Sequence, residues 1–168
     1  MFVGPEGKDL QNCLPAMDRA DWLLWLMVET GQVKLDMALA ATGEIVNENI
    51  KTDEAKTLYI DFVYAGLDTI KLHALKTEAG RAAFDVASQW NDLKKAHELE
   101  AIAFLCVAYI AYVKGSSNKA LAMSQCVFNN IVAAKTGSLA FGGKEAQLEH
   151  KRLCKDLRDR LLSAGRPC

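Results

Sequence analysis

The stretch that decides the fold is residues 101–113, AIAFLCVAYIAYV, the longest apolar run in the chain. Its thirteen residues are too few to cross a bilayer, which needs about 20. The run lies inside a predicted helix from about residue 95 to residue 114, where Gly115 ends it. Since a helix that is apolar on every side is normally surrounded by other elements, we expect this one to be the buried central helix.

The composition around this run indicates an all-α protein. Ala and Leu account for 45 of the 168 residues, whereas Val, Ile and Thr account for 24; the first pair favours helices and the β-branched residues favour strands. The length favours one domain, and a charged fraction of 24% among plentiful apolar residues excludes a disordered chain. We predict a single all-α domain over residues 1–168, a compact bundle of six or seven helices, with mobile ends at 1–15 and 164–168.

Apolar periodicity and helix-boundary residues divide the chain further. The predicted helices span about 19–30, 32–50, 52–74, 77–90, 95–114, 117–137 and 144–163. Asp18 and Asp21 resemble a capping box at the first helix, and Thr42-Gly43 predicts a kink or break in the second. The third helix has one apolar stripe, on which Gly66 predicts close approach of another helix: Tyr59, Phe62, Val63, Gly66, Leu67, Ile70 and Ala74.

The charges are unevenly distributed although the net charge is only −1. Residues 1–75 carry 12 acidic and 6 basic side chains, and residues 76–168 carry 9 acidic and 14 basic ones. The fold either separates these halves into an acidic and a basic face or interleaves them, in which case they attract each other within the molecule. Five cysteines without a C-x-x-C pair, and a start unlike a signal peptide, predict a cytoplasmic protein and no membrane partner.

The sequence predicts no catalytic residues, no metal ligands and no cofactor. His73, His97 and His150 stand alone without the spacing of a metal-binding helix, and no nucleophile motif is present. The alternative is an enzyme whose site forms only in three dimensions, with a histidine beside a cysteine or a pair of carboxylates.

Two charged segments are candidate binding sites. The acidic candidate lies on the third helix and would bind a partner protein; it consists of Asp53, Glu54, Asp61, Tyr64 and Asp68. The alternative lies on the basic last helix, where residues 144–166 carry 7 Lys and Arg against 4 Asp and Glu, and would bind nucleic acid or an acidic partner. Its residues are Lys151, Arg152, Lys155 and Arg158.

The string DWLLWL at residues 21–26 places Trp22 and Trp25 three residues apart, on one side of a helix. Since tryptophan buries a large apolar area, we predict that both anchor the first helix in the core. The alternative is an interaction hot spot, in which tryptophan is enriched.

Cys13 and Pro15, followed by RADWLLWL at residues 19–26, resemble the opening of small helical immunity proteins of bacterial polymorphic toxin systems and their phage-borne relatives. AAFDVASQW at residues 82–90 and Glu98-Leu99 fit the continuation of that pattern loosely, whereas the second helix lacks the expected run rich in Ala, Cys and Arg. The resemblance implies a non-enzymatic cytosolic inhibitor that binds and occludes another protein, either a basic toxin or a defence enzyme. It indicates no oligomeric state.

Overall fold

The computed structural model describes residues 17–137 and 142–162, and every regular element within them is helical. The elements are α1 (Ala20–Glu29), α2 (Leu35–Asn49), α3 (Asp53–Ala65), α4 (Thr69–Asp85), α5 (Leu93–Val113), α6 (Ser117–Thr136) and α7 (Gly143–Leu161), with one π-helical turn at Val86–Trp90 after α4. The predicted all-α bundle is confirmed. The predicted mobile ends, 1–15 and 164–168, lie outside the described residues, as do Cys13 and Pro15.

Helix α5 is the centre of the bundle, as its apolar run predicts. It packs most extensively against α4 and α6 and also contacts α2 and α3. Its buried side chains include Leu99, Ile102, Leu105 and Cys106. Of the helices described, α5 alone is long and apolar enough to cross a membrane, and 56% of that stretch is buried inside the bundle.

Helix α1 differs from its prediction at two points. Neither Asp18 nor Asp21 caps it: Asp21 instead binds Arg19, whose Nη2 lies 2.8 Å from Oδ2. Trp25 packs against the core as predicted, but the prediction is wrong for Trp22, which is 51% exposed with the Arg19 guanidinium 4.5 Å from its ring centroid. A ten-residue helix at the edge of the bundle buries one face only, and that face is already filled by Leu23, Leu24 and Met27.

The predicted third helix is in fact two helices, because the chain turns at residues 66–68. Gly66 has φ +57°, a backbone conformation that favours glycine, and it ends α3. Asp68 then caps α4, accepting hydrogen bonds from the backbone N–H groups of Ile70 at 3.0 Å and Lys71 at 3.2 Å. Gly66 is exposed, so it does not mark a helix contact. The predicted start of the fourth helix at Thr77 is also wrong, whereas its end at Trp90 is confirmed.

The second helix has no break at Thr42-Gly43, since α2 runs unbroken from Leu35 to Asn49. The Thr42 hydroxyl donates to the carbonyl of Ala38 at 2.7 Å, and both Thr42 and Gly43 are buried. Packing in the bundle therefore overrides the low helix propensity of these two residues.

Candidate interaction surface

Helix α3 is fixed to the bundle along one face. Its buried residues are Ala55, Leu58, Phe62 and Ala65. The Phe62 ring meets the ring of Tyr109 on α5 edge to face, with centroids 5.2 Å apart, an arrangement favoured by the charge distribution of aromatic rings. This packing positions the rest of α3 at the surface.

The start of α3 is held by a second contact with α5. Glu98, which is buried, accepts hydrogen bonds from the backbone N–H of Lys51 at 3.0 Å, the N–H of Thr52 at 3.1 Å and the Thr52 hydroxyl at 2.8 Å. Thr52 occupies the N-cap position of α3, but its hydroxyl donates to Glu98 instead of capping the helix. Both ends of the buried face of α3 are thus anchored on α5.

The opposite face of α3 and the start of α4 expose a row of large apolar side chains. They are Ile60 (54% exposed), Val63 (57%), Tyr64 (83%), Leu67 (57%) and Ile70 (81%), and we call them the α3–α4 surface. Ile60, Val63 and Tyr64 share one face of α3 through their i, i+3, i+4 spacing, whereas Leu67 lies in the turn after α3 and Ile70 in the first turn of α4. The prediction that Val63, Leu67 and Ile70 share the buried stripe with Phe62 is therefore wrong. Phe62 faces the core, while these three lie on the far side of α3 or beyond its end.

A shallow groove lies beside this surface, between α3 and α4. Its cavity volume is about 270 Å³, and its lining residues are Asp61, Tyr64 and Ala65 from α3 and Lys71, Ala74, Leu75 and Glu78 from α4. We call this the α3–α4 groove. Its floor is apolar, and its polar groups are two carboxylates, one ammonium and the Tyr64 phenol.

The five residues of the acidic candidate are all exposed but do not form one cluster. Asp61 and Tyr64 meet in the α3–α4 groove, and Asp68 lies past the turn as the cap of α4. Asp53 and Glu54 are in the first turn of α3, about 11–12 Å along the axis from Asp61, where Glu54 lies 3.7 Å from Lys95 of α5. The sequence therefore predicted part of the groove and placed the remaining acids correctly at the surface.

Sequence reasoning missed Glu78 and the apolar members Ile60, Val63, Leu67 and Ile70 as candidates for binding. Glu78 enters the groove only because α4 folds back against α3, which no local pattern indicates. The apolar members do carry a signal. Residues 60, 63, 64 and 67 form a second helical stripe opposite Leu58 and Phe62, and a helix that is apolar on two sides needs two partners.

The basic candidate on α7 is occupied by contacts within the chain. Arg152 pairs with Glu149 and donates to the Asn49 side chain of α2 at 2.6 Å. Lys155 pairs with Asp159 at 2.7 Å, and Arg158 donates to the backbone carbonyl of Met17 at 2.6 Å. Lys151 is exposed. Three of the four predicted cations are therefore engaged in holding α7 to itself or to its neighbours.

The same helix shows that the acidic and basic halves interleave. Arg160 pairs with Asp156 of α7 at 2.7 Å, with Glu48 of α2, and with Glu44 of α2 at 3.7 Å. The hydrogen bond to Asp156, followed by the one to Glu48, raises the pKa of Arg160. Part of the charge asymmetry is therefore attraction between α2 and α7.

Two cysteines and one histidine are buried in the bundle: Cys106, Cys154 and His150. Burial raises the pKa of Cys106 and of Cys154 to about 12, so both stay thiols at neutral pH, and a thiol is a poor nucleophile. The Nδ1 atom of His150, which is buried, accepts a hydrogen bond from the backbone N–H of Ala20 at 3.1 Å. Over residues 17–137 and 142–162, no three His, Cys, Asp or Glu side chains converge as metal ligands.

Compared with protein-family models, with curated proteins and with solved structures, the chain shows no match. The resemblance to immunity proteins through residues 13–31 and 81–100 therefore stays a prediction. The case for a function rests on the α3–α4 surface and its groove.

Proposed function

We propose that this chain is a protein-binding module that engages another protein through the α3–α4 surface and inhibits it by occlusion. The observation that carries the proposal is the row of five large apolar side chains, each more than half exposed. Three of them lie on α3, whose other face is buried, and Leu67 and Ile70 follow in the turn and at the start of α4. Contiguous exposed apolar side chains with a polar rim are typical of interaction sites. Tyr64, at the centre, is of a type enriched in binding hot spots.

The acidic residues around the α3–α4 surface favour a partner of opposite charge. Asp61 and Asp68 flank the apolar row and Asp53 and Glu54 extend it along α3, so a partner with basic residues around an apolar patch would be complementary. Such complementarity raises the association rate and disfavours wrong partners. A basic toxin or defence enzyme, as the sequence resemblance implies, fits this description. Free buried thiols at Cys106 and Cys154 agree with a cytoplasmic location for the complex.

Nucleic-acid binding through α7 is the weaker alternative, because Arg152, Lys155 and Arg158 already have partners in the chain. A phosphate backbone would have to compete with those contacts. We therefore place the partner on α3 and α4.

The proposal is tested with a partner captured from the source cell, purified, and titrated by calorimetry against the wild-type chain and two variants. The surface variant combines Tyr64→Ala, Leu67→Ser and Ile70→Ser. Truncating three central contacts is expected to weaken binding about 100-fold or more, and inhibition of the partner's activity should fall in parallel. The control is Leu148→Ser, which removes an equally exposed leucine from α7.

Circular dichroism must show that both variants remain folded. Unchanged affinity of the surface variant would refute the proposed surface. Equal loss in the Leu148→Ser control would show that the effect is not specific to α3 and α4. If the wild-type chain self-associates and the surface variant is monomeric, the α3–α4 surface binds a second copy of this chain instead of a different protein.

A further inference from the structure

The α3–α4 groove has the chemistry of a receptor for a cationic side chain. Asp61 stands on the α3 wall and Glu78 on the α4 wall, and Ala65, Ala74 and Leu75 supply an apolar floor. Within the part of the chain that the structure describes, no Lys, Arg or His nitrogen lies within 4 Å of either carboxylate. Both are therefore available to a ligand.

The charge of the groove favours a cation even though Lys71 is one of its lining residues. Two carboxylates face one ammonium, which leaves a net charge of −1. Lys71 is exposed on a flexible stem, so it can leave the groove without breaking an ion pair. It acts as a weak internal competitor for the same carboxylates.

The size of the groove limits what it accepts. Sites for drug-sized ligands and cofactors enclose about 300–1,000 Å³, whereas this one encloses about 270 Å³ and is open. A single long side chain suits that space. The apolar floor would contact its methylene stem, as the stems of Lys and Arg commonly lie along apolar surface.

Tyr64 decides between arginine and lysine. Its ring belongs to both the groove and the α3–α4 surface, so a side chain entering beside it would stack on an aromatic face while its end group reaches Asp61 or Glu78. The planar guanidinium stacks flat on an aromatic ring and pairs with a carboxylate through two parallel N–H donors, whereas the ammonium of lysine is a compact point charge without that planar fork.

We propose that the groove receives an arginine side chain from the protein that the α3–α4 surface binds. This inference rests on the proposed function for its biological setting but has a direct test of its own. The arginine would project from the rim of the partner's apolar patch, beside the contact with Tyr64 and Leu67. It would fix the register of the two proteins, because the groove lies on one side of the apolar row only.

The test uses the full chain labelled with ¹⁵N and titrated by NMR with acetyl-Leu-Arg-Leu-amide. The matched peptide replaces arginine with citrulline, which has nearly the same shape and no charge. We expect saturable shifts of the backbone amides of Asp61, Tyr64, Ala65, Ala74 and Leu75 with the arginine peptide only. Binding should weaken about five- to tenfold in the double variant Asp61→Asn/Glu78→Gln and strengthen about twofold in Lys71→Gln. The control Glu29→Gln, at an exposed position of α1 outside the groove and the α3–α4 surface, should change nothing.

Equal shifts with the citrulline peptide, or unchanged affinity in the double variant, would overturn the arginine site. For this comparison the surface variant carries only Leu67→Ser and Ile70→Ser, because Tyr64 lines the groove and these two residues do not. This failure is then distinct from failure of the proposed function. Partner binding that is lost in the surface variant but indifferent to Asp61→Asn/Glu78→Gln would refute the arginine and leave the surface standing. The opposite pattern, with peptide binding intact and partner binding indifferent to the surface variant, would support the groove and refute the surface.

Discussion

On the α2–α7 side of the bundle, charged side chains from distant parts of the sequence pair with one another, as Arg160 does with Glu44 and Glu48. On the α3–α4 surface, apolar side chains from adjacent parts of the sequence are more than half exposed among residues 17–137 and 142–162. The first region satisfies its chemistry within the molecule. The second exposes apolar area to water, which is unfavourable because of the hydrophobic effect. The paired charges therefore contribute to folding, whereas we propose that the exposed apolar side chains contribute to binding.

The largest test of this comparison lies within α3, between its two faces. Phe62→Ala removes the ring that packs on Tyr109 and leaves a cavity, and we expect a loss of about 3–5 kcal/mol in the free energy of unfolding. The neighbouring Val63→Ala, on the exposed face, should change it by less than about 0.5 kcal/mol. Urea unfolding followed by circular dichroism measures both. Equal losses would mean that the two faces are equally buried in solution, for example in a dimer.

The second test concerns the anchor of α3 on α5. Glu98→Ala leaves the N–H groups of Lys51 and Thr52 without their acceptor, and since hydrogen bonds to charged groups contribute about 1.5–3 kcal/mol, we expect a loss of roughly 2–3 kcal/mol. Glu98→Gln keeps one acceptor oxygen and should lose less. The control Glu100→Ala, on the same helix and half-exposed, should be near neutral. A neutral Glu98→Ala would show that α3 holds its position through Phe62 alone.

Comparison of the two regions also shows which parts of the fold can be predicted from the sequence. Helices α5 and α7 are predictable because their apolar patterns have a single interpretation: α5 is apolar throughout, and α7 has the stripe Leu153, Leu157 and Leu161, which is buried. At α3 the apolar pattern continues through Gly66, so periodicity alone does not indicate the turn at residues 66–68, after which Asp68 caps α4. The sequence does contain a signal for this turn, since aspartate is a preferred N-cap residue. The apolar periodicity that continues from Tyr59 to Ala74 nevertheless favoured one long helix.

The groove could be predicted only in part for a different reason. Asp61 and Tyr64 are one turn apart on α3, so their shared face follows from helical spacing. Glu78 joins them through the packing of α4 on α3, which depends on a turn of three residues and on contacts with α5. Likewise the pairing of Arg160 with Glu44 and Glu48 joins residues more than 100 positions apart, so only the fold could decide between separated and interleaved charges.

The third test addresses the paired region. Arg160→Gln breaks the contacts between α7 and α2, and since Arg160 is only partly buried, so that solvent screens its ion pairs, we expect a loss of about 1 kcal/mol. The loss should shrink in 1 M salt, where screening acts over about 3 Å. Lys151→Gln on the same helix is the control and should be neutral at both salt concentrations. A salt-independent loss would attribute the effect to packing of the arginine stem instead of to its charge.

The smallest expected effect is the most informative about the unpaired region. Ile70 is largely exposed and lies in the first turn of α4, two residues after the Asp68 cap, so Ile70→Ser should change the free energy of unfolding by less than about 0.5 kcal/mol. A change that leaves stability unaltered while weakening partner binding would separate the role of this residue in binding from any role in folding. Chemical unfolding of the isolated chain, at two protein concentrations tenfold apart, provides the measurement. If Ile70→Ser instead destabilises the chain only at the higher concentration, the residue is buried between two copies, because stability that depends on protein concentration is a property of association.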